Sequence, residues 1–222
     1  MGISENIKTI EAQLPSGVRL VAISKFHPVE ALIQAYSAGQ RVFGESRAQE
    51  LAIKVPQLPH DIEWHFIGHL QTNKARQVVQ YVHVIESVDS LKLLRLIDAE
   101  AAKAGRNIKV LLQLHVAQEE AKSGFSPQEL INIANNGELE GLSNTCICGL
   151  MAMATFTDDE QQIASEFATV KDTFDILKAG AMKDNPVFNE ISMGMSDDWH
   201  IAVKHGSTLV RIGTAIFGAR QY

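Results

Sequence analysis

The chain has 222 residues, a formal net charge of −6, and 45% hydrophobic against 21% charged side chains. That balance allows a large buried core, and without a run of basic residues it excludes a nucleic-acid surface. No apolar run approaches the ~20 residues of a spanning helix, which excludes a helical membrane protein.

The opening "MGISENIKTI" lacks the apolar centre of a signal peptide, and Asn6 breaks the lipidation pattern that Gly2 would begin. A soluble cytoplasmic protein is expected. A first helix is predicted over residues 4–14, "SENIKTIEAQL", and is expected to cover the floor of whatever sheet follows. Apolar, β-branched runs then recur at 18–24, 41–44, 62–68, 82–87, 108–116, 146–154, 188–192 and 208–213. Helical patterns separate them: residues 29–39, 46–55, 72–80, 89–105, 126–136, 158–178 and 196–206. Ser126 followed by Pro127 marks a helix start, while Gly39, Gly105, Gly180 and Gly206 stand where helices stop.

Strands alternating with helices predict a parallel sheet, because parallel neighbours need a crossover. No G-x-G-x-x-G follows the first strand, and eight strand–helix units is the closure number of a barrel. The expected architecture is a TIM-type (β/α)₈ barrel formed by residues 1–222 as a single domain, with an extra N-terminal helix. Cys146 and Cys148, two apart on one strand, point to the same face, where a direct bridge would be strained. They read as small buried hydrophobes of a reducing compartment.

Such barrels carry their sites at the C-terminal ends of the strands. The candidates there are Lys25, residues 44–46, 68–74 and 121–125, then "SMGMSDD" at 192–198 and "RIGTAIFG" at 211–218. Each of the last two leaves a strand through glycine and a hydroxyl residue, a composition suited to anions at helix N-termini. Their positions, loops seven and eight, are where barrels frequently hold phosphate. Ser196 could alternatively cap the next helix. Arg211 interrupts an apolar strand, so it needs either an inward acidic partner or a ligand in the barrel mouth; spacing leaves both open. A lysine desolvated in that mouth would have a lowered pKa and could attack a carbonyl as a neutral amine. With phosphate loops opposite Lys25, pyridoxal 5′-phosphate and a phosphosugar both qualify as ligands. His65 and His69 lie four apart but leave a strand, so a helical zinc pair is not formed. His115 reads as a core histidine with a satisfied hydrogen bond, and no metal is expected.

The same residues carry a family likeness. "SK" with its proline, "FGE…QE" (43–50), "WHFIGHLQTNK" (64–74), "KSGF" (122–125), "GLMAMA" (149–154), "SMGMSDDW" (192–199) and "VRIGTAIFGAR" (210–220) resemble the YggS/PROSC-type pyridoxal phosphate homeostasis proteins. That family is similar to the N-terminal barrel of alanine racemase. The resemblance implies that Lys25 holds pyridoxal phosphate as an internal aldimine. It implies that Ser192, Gly194, Ser196, Gly213 and Thr214, with Met195 in the same loop, cradle the phosphate, and that Arg211 faces the pyridine nitrogen. Where the family often reads "FGEN", Ser46 stands here, a hydroxyl in place of an amide. An arginine stays protonated, so it keeps the pyridine nitrogen unprotonated and makes the ring a poor electron sink.

The function so implied is pyridoxal phosphate homeostasis, buffering or delivering the cofactor with little or no catalysis. Apo pyridoxal-phosphate enzymes would be the acceptors, and the expected state is a monomer. The alternatives are a fold-type III racemase or lyase and a Schiff-base aldolase. The related racemases add a second domain and a partner tyrosine, neither expected in a chain ending at Tyr222.

Overall fold

A computed structural model describes residues 2–118 and 123–219. Helix α1 (Ile3–Glu11) leads into β1 (Arg19–Ile23), α2 (Val29–Ser37), β2 (Val42–Glu45), α3 (Ala48–Lys54) and β3 (Glu63–Phe66). Next come α4 (Ala75–Val78), β4 (Val84–Val88), α5 (Leu91–Lys103), β5 (Ile108–Leu114) and α6 (Pro127–Asn135). The chain continues with β6 (Thr145–Ala152), α7 (Glu160–Ala179), β7 (Glu190–Ser192), α8 (Trp199–Lys204), β8 (Leu209–Ile212) and α9 (Thr214–Phe217). The eight strands pair in sequence order, all parallel, and β8 closes on β1 with Val21 opposite Arg211.

Strand periodicity divides the side chains between two cores. In β1, Leu20 and Ala22 face the helices, while Val21 and Ile23 face the barrel axis with Val84, Leu111, Cys148, Met151 and Leu209. In β3, Trp64 and Phe66 point outward into the helix layer. One close approach fixes the closure between β6 and β7. A side chain on Gly149 would collide with the carbonyl oxygen of Glu190, its register partner.

Several details differ from the sequence expectation. Helix α1 does not cover the floor; it packs beside α2 and α9, and Asn6 Nδ2 donates to Ile216 O at 2.9 Å. The four residues of α9 are too few to shield the β8–β1 flank, so α1, with Ile7 and Ile10 buried, takes the place of an eighth outer helix. The floor is therefore a cavity of about 190 Å³, lined by Arg19, Glu63, His65, Lys109 and Glu190 among others. The pattern at 72–80 resolves into a 3₁₀ turn, Thr72–Lys74, before α4. Gly39, Gly105 and Gly206 follow their helices with positive φ, whereas Gly180 has φ −107° and ends α7 without a left-handed turn. Ser126 completes a capping box with Glu129. Ala121 and Lys122 lie outside the described residues; Phe125, beyond them, exchanges backbone hydrogen bonds with Gln113 and His115.

His115 lies just past β5, half-buried, and its Nδ1 finds no hydrogen-bond partner among the described residues. It is not the satisfied core histidine expected. Cys146 and Cys148 are both free thiols, and burial pushes the Cys148 thiol up to about 12, which leaves it unreactive. No helix of the described residues is long and apolar enough to cross a membrane. Among the same residues, no group of three or more His, Cys, Asp or Glu is placed to hold a metal ion.

Candidate functional site at the barrel mouth

Lys25 occupies a turn directly after β1, closed by His27 N donating to Ser24 O at 3.1 Å. Its neighbour Phe26 has φ 69°, left-handed for a residue with a full side chain. Such a conformation persists only where its surroundings over-determine it, and three contacts do so. The Phe26 N–H donates to Glu50 Oε2 at 2.9 Å, the Arg47 guanidinium lies 4.4 Å above the Phe26 ring, and the His27 ring stacks on Phe217 at 4.8 Å. Lys25 itself is half-buried.

Beneath the turn lies a second lysine that sequence reasoning passed over. Lys54, from α3, is 5% exposed and donates to Glu45 Oε1, Glu50 Oε2 and Ser24 O at 2.7, 2.7 and 2.9 Å. Ser24 Oγ donates to the same Glu45 oxygen at 2.7 Å, while Glu45 Oε2 is buried without a partner among the described residues. Burial raises the Glu45 carboxyl to about 7 against the pull of Lys54 and Ser24. Glu50 is pushed up by partial burial too, but hydrogen bonds from Lys54 and the Phe26 N–H outweigh this and lower it. Residues on both sides of Lys25 are thus tied to one buried ion group. The clue in sequence was Glu50 and Lys54, four apart on a helix.

At the mouth a cavity of about 270 Å³ is lined by Lys25, Met195, Ser196, Arg211, Gly213 and Thr214, together with Ile23, His27, Ile67, Met153, Phe156 and Asp197. Six of the nine predicted residues therefore share one cavity. Ser46, Ser192 and Gly194 do not line it. Ser46 lies where its backbone closely approaches Gly68. Gly194, φ 94°, is pressed against α8, where an added Cβ would lie 2.6 Å from Ala202 Cβ. Ser192 is fully buried inside the barrel with its hydroxyl already engaged, donating to Glu86 and accepting from Arg211. Ser192 and Gly194, expected to help cradle a phosphate, are not among the residues that line this cavity.

Ser196 does not cap α8 either. Asp198 stands at the N-cap, and its carboxylate accepts from Met195 N at 2.5 Å, curling the loop so that Ser196 lines the cavity. Thr214 opens α9, and the first N–H groups of a helical turn have no partner within it. Arg211, 5% exposed, does have the inward acid that the spacing left open: Glu86 Oε2 lies 3.8 Å from its Nη1, with the Ser192 hydroxyl bridging. It also lines the cavity.

A family profile described as "Alanine racemase, N-terminal domain" matches residues 2–221. The pyridoxal phosphate homeostasis protein of Haemophilus influenzae is 36% identical, over 100% of this chain and 98% of its own length. The crystal structure of PipY from Synechococcus elongatus without PLP superposes with a TM-score of 0.90 at 38% identity, covering 97% of this chain and 100% of PipY. The same protein with PLP bound gives 0.85 at 37% identity, with the same coverage. Fold, length and likeness agree, and the chain belongs to the alanine racemase N-terminal domain family, among its pyridoxal phosphate homeostasis proteins.

Proposed function

We propose that this protein binds pyridoxal 5′-phosphate on Lys25 as a Schiff base and serves its homeostasis, holding the cofactor and giving it up to apo-enzymes, with little or no catalysis. The observation that carries this reading is the convergence of Lys25, Arg211, Ser196, Gly213 and Thr214 on one cavity at the C-terminal end of the barrel. The donor set suits the group. Lys25 supplies an amine for an aldehyde. Two hydroxyls and the opening turn of α9 suit a phosphate, and a guanidinium suits a ring nitrogen that accepts a hydrogen bond. When bound, the group would supply an electron-withdrawing ring. A cation at its nitrogen weakens that withdrawal, because the nitrogen is not protonated. Binding is thereby favoured over carbanion chemistry, and PipY, a relative crystallised with PLP, supports the choice of ligand.

His27 and Asp197, which sequence reasoning did not place here, also line the cavity. They favour a second reading, proton transfer at an amino acid's α-carbon, as in a racemase or lyase. One experiment separates the two. Purified protein loaded with pyridoxal phosphate is reduced with borohydride and peptide-mapped, then tested for cofactor transfer to an apo-transaminase and for deuterium exchange at the α-carbon of alanine and serine. The expected result is an adduct on Lys25, transfer to the apo-enzyme and no appreciable exchange. An adduct on Lys74 would overturn the site; rapid exchange without transfer would establish the second reading.

A further inference from the structure

The interior of such a barrel is ordinarily filled by layers of bulky aliphatic side chains. Here a row of charged and polar groups crosses it. Glu63 and His65 come from β3 and Glu86 from β4, while Ser192 and Arg211 come from β7 and β8 on the opposite wall. Glu63 Oε1 lies 3.0 Å from His65 Nε2, and His65 Nδ1 lies 2.5 Å from Glu86 Oε1. Ser192 Oγ donates to Glu86 Oε2 at 2.5 Å, and Arg211 Nη1 donates to Ser192 Oγ at 2.6 Å. His65, Glu86 and Ser192 are wholly buried. Its ends open to different places: Arg211 lines the mouth cavity, whereas Glu63 and His65 line the floor cavity.

The row is ordered in charge as well as in space. An imidazole between two carboxylates donates from both nitrogens, which requires the imidazolium. Charges then alternate: Glu63 negative, His65 positive, Glu86 negative and, across the serine hydroxyl, Arg211 positive. Removing one member leaves a neighbour buried without compensation.

We propose that Glu86 is a positioning residue for the cofactor ring, holding Arg211 against the mouth through Ser192, and that His65 and Glu63 transmit to it the charge state of the barrel floor. The proposal rests on the reading that Arg211 faces the pyridine nitrogen. The groups around each member are compatible with it. His65 is faced by Glu63 and Glu86, with Arg19 and Lys109 beyond Glu63 and His83 nearby. Glu86 is faced by His65, Ser192 and Arg211, and Arg211 by Glu86 and Asp198. Burial alone would lower the His65 pKa, but its two carboxylates raise it; Glu86 is lowered despite burial, by His65, Arg211 and Ser192.

The test uses the full chain with Glu86→Gln and Glu63→Gln, both near-isosteric. The His65 ring is titrated by NMR without cofactor, and the pyridoxal phosphate absorption band and its dissociation rate are followed against pH. In Glu86→Gln the His65 midpoint is expected to fall by at least about one pH unit, the equivalent of a tenfold change in proton affinity. The chromophore's pH profile should move, and cofactor release should speed up by about tenfold. Glu63→Gln, remote from the mouth, should shift both His65 and the chromophore in the same direction by less. If Glu86→Gln fails to fold, Glu63→Gln carries the test, since its side chain is 30% exposed and sits at the rim. An unmoved chromophore profile in folded Glu63→Gln, or an unmoved His65 midpoint in folded Glu86→Gln, overturns the proposal. A wild-type protein that binds no pyridoxal phosphate overturns the functional reading and the positioning role with it, whereas an unmoved profile in a protein that does bind it overturns the positioning role alone.

Discussion

Around Lys25, local backbone and buried charge are joined. Phe26 keeps its left-handed backbone because Glu50 receives its N–H, and Glu50 is held in turn by Lys54. Breaking a buried ion group by removing one partner costs about 3–5 kcal/mol, so Lys54→Met is expected to lower the urea-unfolding free energy by about that much. Glu45→Gln should behave differently. Its carboxyl has a folded-state pKa of about 7 against an ordinary 4.5, so its neutral form contributes stability below 4.5 that is lost as pH rises through 7. Glu45→Gln, always neutral, should remove that decline, and its unfolding free energy should vary less than wild type between pH 5 and 8, measured in matched urea titrations. A parallel slope in both proteins would mean that Glu45 titrates normally.

At the scale of elements, the barrel depends on strands approaching more closely than side chains allow. Gly149 on β6 abuts Glu190 on β7, and β7 pairs with β8 at Ser192 and Leu209. Those strands carry Arg211 and Ser192, so spreading them disturbs the mouth as well as the core. Gly149→Ala is expected to lower thermal stability by at least about 3 kcal/mol, the upper range for overpacking, and to weaken pyridoxal phosphate binding in whatever fraction remains folded. Calorimetry with and without cofactor checks both. The position of α1 belongs to the same scale. The amphipathic pattern announces a helix with a buried stripe, but which surface receives it depends on how short α9 is, and α9 is placed only when the barrel closes.

For the whole molecule, the axial row gives stability a pH window. Glu63 is held at about 2, chiefly by its hydrogen bond to His65, so its contribution is present above 4.5 and lost as pH falls towards 2. His65 is raised, so its contribution is present below 6.5 and lost as pH rises through its elevated folded value. Both contributions are therefore fully present between about pH 4.5 and 6.5. Replacing Glu63 by Gln should flatten the acid limb of the melting temperature against pH, and replacing His65 by Gln the alkaline limb; limbs unchanged from wild type would show that the row contributes nothing to either.

Read by itself, the amino-acid sequence determined the eight strands, their parallel order and the end of the barrel where Lys25, Met195, Ser196, Arg211, Gly213 and Thr214 gather. These rest on short-range regularities: alternation along a strand, a crossover between parallel neighbours, glycine and hydroxyl residues at strand ends. Tertiary structure alone decided that Ser192 turns inward, that Lys54 supports the Lys25 turn, and that His27 enters the cavity. It also decided that Arg211 both lines the mouth cavity and has an acidic partner. Ser192 and Glu86 are 106 positions apart, and they meet because opposite walls of a closed barrel converge on one axis. No spacing along the chain records that meeting, since side-chain periodicity says which face a residue points to and closure says what it finds there.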